Sequence, residues 1–287
     1  MKRKILSILM SMTLMLPLLT GSTVHAANLE TEKDSIEIFE KDFTTGEETI
    51  RTVAVSDDEN ILSAEGFQVN QPSPNIIIGE DERGVVPDML LNMMPYSAIG
   101  RIKVTYYDGT SATGTGFLFA SNAVATAAHV LYNKNHSIAK EVTFWLPGGT
   151  GPLANYTASQ MAIPQEYMDT LDSNFDWAMF HINSTVGNTV GYFGWTTNIS
   201  VNTTVQVIGY PSSQMMIAGK QVKSVTTTMI KYDVDTSAGQ SGSPVLNRAL
   251  NNQFVAIHTT GYSSEQLNGG SRVTPRMASV MSSYRND

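Results

Sequence analysis

From Ala98 onward, apolar and polar positions alternate in short bursts separated by turn residues. RIKVTYYDGTSATGTGFLFA gives an alternating run, an Asp108-Gly109 turn and a Gly/Thr-rich approach to a second apolar run. A period of two bounded by Gly, Asp and Asn predicts half-buried strands joined by tight turns. The same reading places further strands at Glu141–Leu146, Trp177–Ile182, Thr203–Gly209, Gln221–Val234 and Phe254–His258. A helical period emerges only at the end. There Thr274 stands in a capping position, Pro275 in the first turn, and Met277, Val280, Met281 and Tyr284 share one face. Many short strands with one terminal helix predict an all-β, antiparallel sandwich or barrel.

Two earlier segments depart from this pattern. Lys2, Arg3 and Lys4 precede an apolar run from Ile5 to Leu19, followed by Val24-His25-Ala26, which is the layout of a secretory signal peptide over residues 1–27. The run is short for a membrane anchor, so the rest of the chain is expected outside the cell and off the membrane. Residues 28–75 hold twelve Asp/Glu against three Lys/Arg, a balance of −9 in a chain whose net charge is −8. IEIFEKDF and ETIRTVAV within them have the composition of strands or helices, and QVNQPSPN (Gln68–Asn75) reads as an exposed linker. An acidic pro-segment fits this order of parts, with the working domain at 76–287. Neither part is basic, which argues against nucleic acid as a partner.

There is no cysteine, so thiol nucleophiles, iron–sulfur clusters and cysteine-ligated zinc are excluded. No HExxH-type metal motif occurs either, and the sequence calls for no cofactor. A hydroxyl nucleophile needs an imidazole to take its proton and an acid to hold that imidazole. Of five histidines, His25 leaves with the signal, His136 lies in a polar loop, and His181 reads as a sheet-surface residue. His129, in NAVATAAHVLY, is surrounded by small side chains; Asp176 opens a strand in SNFDWAMF; Ser241 stands between glycines in TSAGQSGSPV. Taken singly, these are a core histidine, a turn acid and a flexible loop. Their order along the chain, His–Asp–Ser, is that of the chymotrypsin-type triad.

From Ile76 to the end, the chain resembles the secreted glutamyl endopeptidases of Gram-positive bacteria, a chymotrypsin-fold family, and is closest in pattern to the Bacillus-type enzymes. The matching stretches are IIIGEDER, TAAHV, FDWAMF, VGNTVGY, VIGYP, DTSAGQSGSPV and AIHTTGY. The resemblance implies two six-stranded antiparallel barrels with their boundary near residues 187–200. It implies Ser241 as nucleophile, His129 as base, Asp176 as the orienting acid, and the N–H groups of Gly239 and Ser241 as the oxyanion hole. It also implies Thr236 and His258 as the pair that receives a substrate carboxylate, Thr259 to Gly261 as the strand on which substrate backbone is laid, and the new amino terminus at Ile76 as an aid to acidic substrates. Its partners would be peptide substrates and an activating protease, acting on a monomer. Asn75 is not glutamate, so another protease would complete the cut at Asn75–Ile76, with self-trimming open at Glu65. Asp235 stands six residues before Ser241, where trypsin-like enzymes select Arg or Lys. A trypsin-like or narrow toxin-type protease and a non-catalytic binding homologue are therefore the alternatives. The scarcity of glutamate from Ile76 onward, five residues against eight in the acidic segment, agrees with cleavage after Glu.

Overall fold

The computed structural model describes residues 35–56, 75–147, 154–250 and 253–285. The expected signal peptide and most of the Gln68–Asn75 linker lie outside these residues. An N-terminal hairpin, β1 (Ser35–Asp42) and β2 (Glu48–Ala54), and the short β3 (Gly84–Val85) come before the first barrel. That barrel comprises β4 (Ile99–Tyr106), β5 (Ser111–Leu118), β6 (Ala123–Thr126), β7 (Ala139–Leu146), β8 (Ala154–Pro164) and β9 (Ala178–Ile182). In order β8-β7-β4-β5-β6-β9 they close through a β8–β9 pairing. After β10 (Gly194–Trp195), the second barrel comprises β11 (Thr204–Gly209), β12 (Met216–Val225), β13 (Met229–Tyr232), β14 (Pro244–Asn247), β15 (Gln253–Tyr262) and β16 (Leu267–Arg272). It closes in the order β15-β14-β11-β12-β13-β16 through β15–β16. The chain is two closed six-stranded antiparallel barrels, and closure removes the edges that an open sheet would leave unpaired.

The alternation in the sequence maps directly onto burial. In β4, Ile102, Val104 and Tyr106 point inward at 0–3% exposure while Lys103 faces out. Barrel interiors are filled by these inward rows, each fully buried large side chain contributing about 1.5–3 kcal/mol. The second barrel has its own interior of Val205, Val207, Val222, Ile230, Tyr232, Val245 and Val255.

Two local expectations change. Gln221–Val234 is not one strand but the end of β12 and all of β13, broken by a turn in which Met229 N–H donates to Thr226 Oγ1. The Thr226-Thr227-Thr228 run that suggested strand supplies the hydroxyl that makes the turn. His181 is not a surface residue: it is 7% exposed, and its Nε2 is 3.0 Å from the Tyr284 carbonyl oxygen. The side of β9 it occupies is covered by the C-terminal helix, Pro275–Arg285, whose Met277, Val280, Met281 and Tyr284 are all buried as their spacing predicts. Thr274 Oγ1 accepts from Met277 N–H at 3.1 Å, the expected cap. Finally, the strand-like runs of the acidic segment are strands, and β1 pairs with β8.

Candidate active site

β6 ends at Thr126 and the chain turns into a single helical turn, Ala128–Leu131, that carries His129. Ala127 and Ala128 beside it are fully buried, and their small side chains let the turn sit flat against the barrel. β9 is the strand paired with β6, up to Thr126↔Ala178, and a short turn at Ser173–Phe175, capped by the Asp172 carboxylate on Asn174 N–H, delivers Asp176 to the start of β9. Asp176 is completely buried and spends both carboxylate oxygens on His129. Oδ1 accepts from the backbone N–H at 2.9 Å, and Oδ2 lies 2.7 Å from ring Nδ1. This bond makes Nδ1 the protonated nitrogen and leaves Nε2 as a base. Burial pulls the imidazole pKa down, but the charge and hydrogen bond of Asp176 outweigh it, so the pKa is raised above its ordinary 6.5.

Ser241 lies in the loop between β13 and β14, and its flanking glycines are structural requirements. Gly239 has φ +93°, and a Cβ there would sit 2.5 Å from the Tyr210 carbonyl oxygen. Gly242 has φ +87°, and a Cβ there would sit 2.1 Å from the Thr115 carbonyl oxygen. Both conformations suit glycine alone. The loop is fastened across the barrel junction by Thr115 of β5: its N–H donates to Ser241 O at 2.8 Å and its hydroxyl to Gly239 O at 2.9 Å. The Thr115 hydroxyl also accepts from Tyr210 N–H at 2.9 Å. Neither the Gly239 nor the Ser241 N–H has an acceptor among the described residues. His129, Gly239, Ser241 and Thr259 line one cleft of about 570 Å³.

Deeper, β15 carries His258 and Thr259, and the segment after β13 carries Asp235 and Thr236. All four are 0–1% exposed. His258 Nδ1 lies 2.6 Å from Tyr232 Oη and 3.0 Å from Gly269 O, whereas its Nε2 and Thr236 Oγ1 have no partner among the described residues. Burial pushes the His258 pKa down to about 3; the Gly269 carbonyl opposes this and the charge of His129 adds to it. Asp235, the other residue that might read a substrate side chain, is committed elsewhere. Its Oδ1 accepts from Ile78 N–H at 2.7 Å and its Oδ2 from Glu82 N–H at 3.0 Å. Beyond its last pairing with β14, at Pro244↔Ile257, β15 runs on with Thr260, Gly261 and Tyr262 laddered to β16.

Sequence reasoning missed three residues of this neighbourhood. Thr115 is one. Asn268 is another: its amide clasps Ile76, accepting from the N–H at 3.0 Å and donating to the carbonyl at 2.7 Å. Arg83 is the third. Asp81 holds it in a two-point ion pair, and it reaches Ser237 Oγ and Gln240 Oε1 in the nucleophile loop. Just before this clasp, Asn75 lies in the cleft with its Nδ2 3.5 Å from Ser241 Oγ.

Two closed barrels with a His–Asp pair whose carboxylate is fully buried and a Gly-x-Ser-Gly loop facing one cleft define a chymotrypsin-fold serine endopeptidase. The model of the trypsin-like peptidase domain matches residues 114–257, and the chain belongs to that family. It is 35% identical to a Bacillus subtilis protein named extracellular metalloprotease, over 70% of this chain and 67% of that protein. It is 29% identical to the glutamyl endopeptidase of Bacillus licheniformis, over 73% of this chain and 69% of that protein. A solved Glu endopeptidase structure superposes with a TM-score of 0.64 at 26% identity, covering 74% of this chain and all of that one. The metal implied by the first relative's name finds no match in the donor set here, because no group of three or more His, Asp or Glu gathers among the described residues.

Proposed function

We propose that the protein is a secreted endopeptidase that cuts after glutamate, and less readily after aspartate, through an acyl-enzyme on Ser241. His129 Nε2 takes the Ser241 proton as Oγ attacks the scissile carbonyl, and returns it to the leaving amine. Asp176 holds the ring and offsets the imidazolium charge. The unengaged N–H groups of Gly239 and Ser241 receive the oxyanion, an interaction worth about 3–4 kcal/mol per donor in the transition state. Water then releases the acyl group by the same steps, with His129 as base again.

The observation that carries the specificity is the pair of unpartnered polar atoms, His258 Nε2 and Thr236 Oγ1, both fully buried on the two segments flanking the cleft residues Ala238 and Thr259. A buried polar atom left without a partner costs about 1–3 kcal/mol, which a bound carboxylate recovers. His258 is neutral at ordinary pH. The Gly269 oxygen beside Nδ1 can only accept, so Nδ1 carries the proton of the neutral ring and Nε2 gains one when the imidazolium forms. When a carboxylate arrives, its charge favours the imidazolium, with Nδ1–H donating to the Gly269 carbonyl and Nε2–H to the ligand. The occupied state of Asp235 speaks against the Arg/Lys reading. The β14 pairing ends at Pro244↔Ile257, ahead of the Thr259–Gly261 stretch of β15, which supports backbone pairing with substrate along that stretch.

Maturation at Asn75–Ile76 by a second protease fits the same site. Asn268 already holds the Ile76 nitrogen, so the cut would leave a charged amine where an amide now sits, and would free Asn75 to leave the cleft. Secretion is supported by the signal-like N-terminus and by a relative whose name calls it extracellular. The test is kinetic. His258→Ala and Thr236→Val should each lower kcat/KM for Glu peptides about 10–100-fold, the value of a hydrogen bond to a charged group. Both should spare cleavage after Gln far more. Equal losses on Glu and Gln substrates would overturn the assignment.

A further inference from the structure

The acidic segment contains a folded piece that the maturation reading does not explain. β1 and β2 pair along their whole length, from Ser35↔Ala54 to Lys41↔Glu48, and β1 then ladders onto β8 from Ile38↔Pro164 to Asp42↔Gln160. β7 pairs with β8 only over Ala154 to Thr157. Past that point β1 takes over the same strand, so the hairpin completes the ladder where the barrel's own strand runs out.

Its apolar face is part of the protein's core. Ile36 and Ile38 are 0–1% exposed and belong to one cluster with Met161, Ile163 and the helix residues Met277 and Tyr284. Its polar residues are committed to the same surface. Glu40, 9% exposed, accepts from Tyr284 Oη at 3.0 Å and from Arg51 Nε at 2.8 Å. Arg276 donates to Ser35 O at 2.8 Å, and Ser56 N–H to Ser279 Oγ at 3.2 Å. No residue of the hairpin lines the cleft with Ser241 and His129; among the described residues before Ile76, Asn75 does. The hairpin's departure would uncover an apolar helix face and open the edge of β8, an unpaired edge next to exposed apolar surface.

We propose that the hairpin is a structural part of the working protease, staying docked on β8 and the C-terminal helix as a separate, non-covalently held chain once the segment behind it is cut. The proposal rests on the maturation reading above only in that the chain is cut between the hairpin and Ile76. Activation then needs the cut and the release of Asn75, not the loss of the whole segment.

The test uses the full chain carrying Ser241→Ala, with the recognition sequence of an unrelated site-specific protease placed between Glu65 and Pro72. After cutting, the two pieces should co-elute in gel filtration and appear as a 1:1 complex in native mass spectrometry. The thermal midpoint should stay close to that of the uncut chain. Ile38→Asp should release the N-terminal piece on cutting. Tyr284→Phe, a milder change, should lower the urea concentration at which the pieces part. An N-terminal piece that elutes alone from the unmutated interface, leaving a domain with an unchanged thermal midpoint, would overturn the proposal. The added protease makes the cut and Ser241 is absent, so the outcome is independent of the natural cut position and of Glu preference.

Discussion

At position 115 one threonine reaches across the barrel junction and holds the nucleophile loop at two carbonyls. The bond to Gly239 O fixes the peptide that follows the oxyanion donor, so Thr115 is a positioning residue. Thr115→Val keeps the shape and the backbone bond but strands Gly239 O and Tyr210 N–H. It should cost about 1–3 kcal/mol of stability and lower kcat with little change in KM, both read against a Thr115→Ser control that restores them. The opposite split, KM raised with kcat intact, would contradict a positioning role. Ser241→Ala should lower kcat on the order of 10⁴-fold or more without altering the circular dichroism spectrum; activity retained in that variant would contradict the mechanism. His129 must be neutral to act as base. Its raised pKa therefore puts the rise of kcat/KM with pH above 6.5, with activity lost as pH falls through that value. His258 works in the other sense for stability. The unfolded chain takes up a proton near 6.5 and the folded one only near 3, so folding weakens as pH drops across that window. His258→Gln should flatten that part of the stability profile; an unchanged slope would place the histidine's titration elsewhere.

At the scale of elements, local pattern and long-range contact carry different amounts of information. His129, Asp176 and Ser241 each announce themselves within about ten residues, through small neighbours, a strand-opening acid and paired glycines. β4, β5, β7 and β9 of the first barrel and the C-terminal helix are legible for the same reason, since alternation and capping are local, whereas β6 and β8 are absent from the runs that the alternation predicts. Thr115 and Asn268 are not, because the bonds that define them span 124 and 192 residues and leave no mark on neighbouring positions. The alternation places His181 on the right strand but not under the helix, because a period of two says which side a residue takes and not what covers that side. Asp235 shows how contact decides between meanings of one position. Spacing alone made it a candidate selector, and two backbone N–H bonds make it the anchor of residues 78–82. Asp235→Asn should loosen that segment, seen as faster amide exchange at Ile78 and Glu82, and leave the residue preferred before the cut unchanged. A shift in that preference would return Asp235 to the pocket.

For the whole molecule, the first barrel supplies His129 and Asp176, the second supplies Ser241, and Asn75 lies in the cleft beside Ser241. Arg83, Asp235 and Asn268 brace the chain from Ile76 to Val85 against the second barrel before any cut, so the nucleophile loop is already built in the uncut protein. In the proposed maturation, latency comes from Asn75 in the cleft and from the charge that Ile76 gains only on cutting. The central claim is that this assembled site reads a carboxylate. The most direct measurement is the cleavage profile, on a proteome-derived peptide library, of a full chain cut at an engineered site so that Ile76 becomes a new amino terminus. The account predicts cleavage dominated by glutamate before the scissile bond, with aspartate a minor second and no sensitivity to chelators. Cleavage after arginine or lysine, or no peptide hydrolysis by the cut protein, would contradict it.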